Sequence, residues 1–67
     1  MRPARIGQML RKLREARGLS QRELAAKAKV TGAYVAQLET GAKKNPSLAI
    51  LQRLARALGV TVTELLE

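Results

Sequence analysis

The sequence lacks most of the residues from which catalytic and metal sites are built. Its 67 residues include no Cys, His, Trp or Phe, and every acidic residue is Glu. Without His or Cys there is no imidazole base, no thiolate nucleophile and no zinc finger. Five Glu, two Ser and one Tyr provide no visible set of nucleophile, base and orienting group. We therefore expect no enzymatic activity, no metal site and no cofactor.

Long apolar runs are also missing. No stretch approaches the ~20 apolar residues that span a bilayer. The N-terminal segment, residues 1–5, is basic through its two Arg, but the apolar region of a signal peptide does not follow it. The first helix is basic, but its apolar face is needed for the core and has no aromatic anchor, which disfavours membrane-surface binding. The absence of Cys is compatible with a reducing compartment. We expect a cytoplasmic protein with no membrane partner.

Positive charge dominates the composition. Thirteen Lys and Arg stand against five acidic residues, a net charge of +8. The cations all lie in residues 2–56, whereas residues 57–67 contain Glu64 and Glu67 and no cation. This distribution predicts one basic side of the domain. The length predicts a single domain over residues 1–67, with a core over about residues 6–66.

Helical spacing of apolar residues predicts five helices and no sheet. Ile6, Leu10 and Leu13 recur at i, i+4 and i+7 in a helix that ends before Gly18. The later apolar faces are Leu24, Ala25 and Ala28 in the second helix, Val35 and Leu38 in the third, Leu48, Leu51, Leu54, Ala55 and Leu58 facing inward in the fourth, and Leu65 and Leu66 in the last. The residues with cap spacing are Ser20 with Glu23, Thr31, Ser47, and Thr61 with Glu64. The fold class expected is all-α.

The junction between the second and third helices is unusually short. The second helix ends near Ala28 and Thr31 already caps the third, so only Lys29 and Val30 separate them. A connection of this length makes two helices cross steeply, as in a helix-turn-helix. An ordinary small helical bundle is the alternative that spacing alone leaves open.

Several motifs in order resemble the phage-repressor and Cro-like helix-turn-helix regulators, also called the xenobiotic-response-element type. The motifs are GLSQRELA at 18–25, VAQLETG at 35–41, NPSL at 45–48 and LARALGV at 54–60. The resemblance covers about residues 6–66 and implies a compact five-helix lambda-repressor-like domain that binds duplex DNA, usually as a dimer. The sequence departs from the family pattern at Lys29, where Gly is common, and at Gly32 and Ala33, where long polar side chains are frequent.

In the resembled family the third helix, here about residues 31–40, enters the major groove with its N-terminal residues facing base edges. The residues that this places at the bases are Thr31, Gly32, Ala33, Tyr34 and Gln37. Gln37 can pair bidentately with adenine, and the methyl of Thr31 or Ala33 can meet that of thymine. Gly32 either lets backbone approach DNA or occupies a position that packing leaves free. Tyr34 either contacts DNA or is a partly buried ring with its hydroxyl in water.

The resemblance also implies phosphate contacts and one structural ion pair. Ser20 and Gln21 would bind phosphate at the start of the second helix, where free amides attract anions. Lys43 and Lys44 either hold the adjacent backbone or form a solvated loop. Arg14 would pair with Glu39 and fix the third helix to the scaffold.

Apolar residues near the C-terminus are available for contact with another protein chain. Val60, Val62, Leu65 and Leu66 are a candidate homodimer interface or simply close the bundle.

Regulation could be repression by occlusion or activation through contact with polymerase. The alternative function is an antitoxin-like or other protein-interaction module on the same fold, with a toxin or another protein as its principal partner.

Overall fold

The computed structural model describes residues 5–66, which form five α-helices and, within that range, no strand. The helices are α1 (Arg5–Ala16), α2 (Gln21–Ala28), α3 (Gly32–Thr40), α4 (Leu48–Leu58) and α5 (Val62–Leu66). This confirms the predicted all-α class and the five helices. Residues 1–4 and Glu67, on which the signal-peptide and C-terminal charge expectations partly rest, lie outside the described range.

Side chains cap the helices where the sequence predicts. The Ser20 Oγ accepts a hydrogen bond from the Glu23 amide at 3.0 Å, and the Glu23 carboxylate accepts one from the Ser20 amide at 2.8 Å. Thr61 and Glu64 form the same reciprocal pair, with both distances 3.0 Å. Each cap satisfies backbone amides that have no acceptor inside the helix, which is worth about 1 kcal/mol per cap. Local sequence therefore sets these helix boundaries.

The core is built from leucines contributed by all five helices. The fully buried large side chains are Leu10, Leu24, Leu38, Leu54, Leu58, Leu65 and Val35. Burying one such side chain stabilises the fold by about 1.5–3 kcal/mol. Through Val35 and Leu38, α3 packs against both α1 and α2, which fixes the position of the predicted recognition helix.

Two apolar residues do not pack as expected. Leu48 was predicted to face inward but is 62% exposed, and Leu66, predicted to accompany Leu65, is 47% exposed. Helical periodicity gives a residue's angular position only, whereas burial also needs a neighbouring element at the same level. Leu48 is the first residue of α4 and Leu66 the last of α5, so both lie at helix ends, where neighbouring elements cover a side chain least.

None of the helices in residues 5–66 has the length and apolar character to cross a membrane.

Candidate nucleic-acid interface

The turn between α2 and α3 brings the start of α3 to the surface. Lys29 adopts the left-handed conformation, with φ 60° and ψ 44°, and is the only non-glycine residue with positive φ among those described. The Val30 amide donates to the Ala25 carbonyl at 2.9 Å, which closes the end of α2. Two residues are thus enough to redirect the chain, at a strain cost of about 1 kcal/mol for a side chain at this position.

The N-terminal end of α3 presents an exposed face. Thr31 accepts a hydrogen bond from the Tyr34 amide at 3.0 Å, which caps the helix. Thr31, Ala33 and Gln37 are exposed, whereas Gly32 and Tyr34 are half-buried. Ala33 and Gln37 are one turn apart and therefore share a face. This exposed face offers two methyl groups at the start of α3 and, one turn beyond Ala33, the amide side chain of Gln37.

Tyr34 and Gly32 differ in what the scaffold requires of them. The Tyr34 ring packs against the hydrophobic core, so part of this residue's role is structural. A Cβ built on Gly32 would have the Arg22 Cα as its nearest neighbour at 3.8 Å, an ordinary contact. Packing inside the domain therefore does not demand glycine at position 32.

Gly7, which the sequence analysis did not single out, is required by packing. A Cβ on Gly7 would overlap the carbonyl oxygen of Leu38, because α1 crosses the end of α3 at backbone contact distance. Glycine within an apolar helical pattern is itself a signal of close backbone approach. Gly7 therefore determines how closely α3 sits on α1.

A hydrogen-bonded network holds the C-terminal end of α3. Arg14 Nε donates to Glu39 Oε2 at 2.7 Å and Arg14 Nη2 to Glu39 Oε1 at 3.1 Å, a bidentate pair. Arg14 Nη1 also donates to the Leu19 carbonyl at 2.7 Å. Gln21 Nε2 donates to Glu39 Oε1 at 3.0 Å. The structure thus brings Arg14, Glu39 and Gln21 together and joins α1, α2 and α3.

The charges of this network stabilise one another in a desolvated position. The side chains of Arg14 and Glu39 are 11% and 4% exposed. Burial raises the pKa of Glu39, but hydrogen bonds from Arg14 and Gln21 outweigh it and leave the pKa below its usual value. The hydrogen bond to Glu39 raises the pKa of Arg14 despite burial. The pair is therefore ionised at neutral pH.

The expected phosphate-binding residues lie at both ends of the helix-turn-helix. Ser20 and Gln21 are at the start of α2, and each retains a donor beyond the bonds described, the Ser20 hydroxyl hydrogen and the second Gln21 amide hydrogen. Glu23 lies at the same end, and its pKa is lowered mainly by the Ser20 backbone amide. Lys43 and Lys44 are exposed, and the Lys43 amide donates to the Gln37 carbonyl at 3.0 Å, which folds this segment back onto α3.

Residues 5–66 contain no group of three or more His, Cys, Asp or Glu close enough to hold an ion. The exposed side chains of this interface supply hydrogen bonding, apolar contact and positive charge.

Comparison with known proteins gives consistent matches over nearly the whole chain. The helix-turn-helix family profile matches residues 10–65. The transcriptional regulator DdrOP3 of Deinococcus deserti is 43% identical over 63 residues, which is 94% of this chain and 48% of the relative. SinR of Bacillus subtilis is 37% identical over 92% of this chain and 56% of its own length. The chain spans about half the length of these curated relatives.

Solved structures match in shape as well as in sequence. The restriction-modification controller protein C.AhdI from Aeromonas hydrophila superposes with a TM-score of 0.89 and 41% identity, covering 94% of each chain. The biofilm regulator SinR, solved in complex with DNA, gives a TM-score of 0.89 and 37% identity over 92% of this chain and 98% of that one.

Proposed function

The chain belongs to the helix-turn-helix family, and from this premise we propose that it is a sequence-specific duplex-DNA-binding transcriptional regulator. Its domain would comprise residues 1–67 with the core at about 6–66, and α3 would lie in the major groove. Occlusion of a promoter, hence repression, suits a domain of this size. The relatives that match are named as regulators rather than enzymes, in keeping with the expected lack of catalysis. A cytoplasmic location is part of the same proposal.

The observation that carries the proposal is the combination of an exposed N-terminal end of α3 with a tightly held C-terminal end. Thr31, Ala33 and Gln37 are exposed, while Glu39 is fixed by Arg14 and Gln21. Because the helix is held at its C-terminal end, its backbone is already oriented when the exposed side chains meet a base edge, so binding does not have to order the helix itself. Gln37 supplies the bidentate group, and Thr31 and Ala33 supply methyl groups for thymine.

Phosphate contacts would set the register of α3 on the duplex. We assign them to Ser20 and Gln21 at one end and to Lys43 and Lys44 beyond α3. The half-buried Tyr34 adds its hydroxyl, and Gly32 allows the backbone to approach the bases. Such contacts supply affinity without sequence information.

Selection of binding sites from randomised duplex DNA at near-physiological salt tests the proposal. We expect enrichment of a two-fold palindrome whose half-sites lie one helical turn apart. Gln37→Ala should lose about 1–3 kcal/mol of discrimination at one base pair per half-site. Glu15→Ala, on the exposed surface of α1, is the matched control and should enrich the same sites. A pool that stays random would contradict the proposed function.

A homodimer fits the two-fold operator, and we place its interface at the C-terminal end. Leu65, one of the four candidates, is fully buried in the core, so we leave it out of the proposed interface. Val60 and Val62 pack partly against the core, and Leu66 is the large exposed apolar side chain of α5. Leu66→Ser should shift the mass measured by light scattering toward a monomer, whereas Leu48→Ser should not.

A protein partner is the alternative function on the same fold. Contact with a toxin or with polymerase would use surfaces that remain exposed when α3 is on DNA. Mass measurement with and without the candidate protein, in the presence and absence of duplex, separates the two functions. Binding of the protein with no binding of duplex would favour the antitoxin-like module.

A further inference from the structure

A basic groove lies between the end of α2 and the C-terminal half of α4. Its volume is about 480 Å³, and four cationic side chains line it together with two small residues: Lys27, Lys29, Arg53, Arg56, Ala28 and Ala57. The four cationic residues are exposed. The candidate interface includes none of these residues, so this charge has no function assigned so far.

The positive charge of this groove is not neutralised within the described part of the chain. The ion pairs between residues 6 and 66 involve Arg11 and Arg14 with Glu15 and Glu39. Glu23, one turn before Lys27, has its carboxylate at 2.8 Å from the Ser20 amide. Lys27 and Arg56 lie in the last turns of their helices, where each helix end carries about −0.5 charge. Two such ends offset about one of the four charges.

The chemistry of the lining suits a chain of anionic groups such as a phosphate backbone. Two guanidinium groups form planar forks that bind phosphate oxygens bidentately, and two ammonium groups add compact charge. The other two lining residues are alanines, so the groove has no aromatic face on which a base could stack and no large apolar wall for a hydrophobic anchor.

The position of the groove matches the dimensions of a duplex. Helix α2 has 8 residues and is therefore about 12 Å long, close to the ~12 Å width of the major groove. Ser20 and Gln21 lie at one end of α2, and Lys27 and Lys29 lie at the other. Lys29 is three residues before Gly32, so their Cα atoms are at most about 11 Å apart. An α2 that crosses the groove would present cations to the second strand.

We propose that this groove is a second phosphate-binding site, which holds the backbone of the strand opposite to the one contacted by Ser20 and Gln21. The inference rests on the proposed DNA binding and adds to it a named set of contacts on α4. It makes Arg53 and Arg56 affinity residues that carry no base preference.

The salt dependence of duplex binding tests the site. Each phosphate contact steepens the plot of log affinity against log salt by about 0.9. Arg53→Gln/Arg56→Gln should therefore bind with a slope shallower by about 2, measured between about 50 and 200 mM salt on one duplex. The control is Lys12→Gln/Arg17→Gln, which removes two exposed cations of α1 and leaves the same net charge, 8 − 2 = +6. Its slope should stay near that of the parent, and thermal melting should show both variants folded.

The outcomes separate this site from the proposed function. A groove variant with the parent slope, or a control whose slope falls equally, overturns the proposal. If the groove variant keeps the parent slope and also no longer binds a poly-glutamate peptide that the parent binds, the groove serves an acidic protein segment instead of DNA. The slope needs no preferred sequence, so a random pool in the selection would contradict sequence-specific regulation and leave the groove standing.

Discussion

The C-terminal end of α3 is attached to the neighbouring helices. Glu39 accepts hydrogen bonds from Arg14 and Gln21, and the Leu38 carbonyl lies in close contact with Gly7. At its N-terminal end, the described residues show one side-chain hydrogen bond, the cap of Thr31 on the Tyr34 amide. Thr31 and Ala33 at this end are exposed, and so is Gln37, one turn beyond Ala33 on the same face. One short helix therefore has a fixed end and a free end.

The difference shows how a small domain can orient a binding surface. Exposed side chains cannot by themselves fix the orientation of α3, so other residues have to set it. Here a buried ion pair at Glu39 and a backbone contact at Leu38 set it. Stability and recognition then depend on different residues of the same helix, which mutation can separate.

Removing Glu39 should have the largest effect. Glu39→Ala leaves Arg14, which is 11% exposed, without its partner, and breaking a buried pair in this way costs about 3–5 kcal/mol. Urea unfolding measures the loss. Glu15→Ala, which breaks the exposed pair with Arg11, is the control and should cost less than about 1 kcal/mol. If the two losses are equal, the fixed end does not depend on this ion pair.

Gly7→Ala should have the next largest effect. The added methyl would overlap the Leu38 carbonyl oxygen. Because that atom belongs to the backbone, it cannot move away by a rotamer change, so we expect the free energy of unfolding to fall by about 1–3 kcal/mol. Gly32→Ala is the matched control at the free end, because its methyl would meet only ordinary contact. It should gain about 1 kcal/mol from helix propensity. Thermal melting of both variants would reveal a scaffold contact at the free end if Gly32→Ala were also destabilising.

The cap at the free end should matter less. Thr31→Ala removes the acceptor of the Tyr34 amide and should cost about 1 kcal/mol. Thr31→Ser keeps the hydroxyl, so stability should be retained, while the methyl group that we propose contacts thymine is lost. Unfolding measurements with site selection on both variants separate capping from base contact. A loss of stability in Thr31→Ser would mean that the methyl is a packing group.

Acid should weaken the fixed end, and this is the smallest effect. The pKa of Glu39 is lowered in the folded state, by bonds that act against burial. Its contribution to stability is therefore complete above the unfolded pKa of about 4.3 and falls as pH drops through the lower folded value. The free energy of unfolding, measured from pH 7 to pH 3, should fall less steeply in Glu39→Gln than in the parent. Parallel curves would show that Glu39 does not contribute.

Much of the architecture could be predicted from local patterns. Cap residues gave the starts of α2 and α3, and apolar periodicity gave the faces that carry Leu24 and Leu38. Periodicity failed at Leu48 and Leu66, because burial depends on what lies beside a helix end. The resemblance named Arg14 with Glu39, but the attachment of Gln21 to that pair depends on where three helices meet.

By itself, the sequence determined the helices, their ends and the short turn at Lys29, because caps and apolar periods act over a few residues. It also excluded thiol, imidazole and zinc chemistry through composition. Only the tertiary structure decided that Gly7 contacts the Leu38 backbone, that Leu65 is fully buried in the core, and that cations of α2 and α4 share one groove. Those features join residues far apart in the chain, so they exist only once the helices have packed.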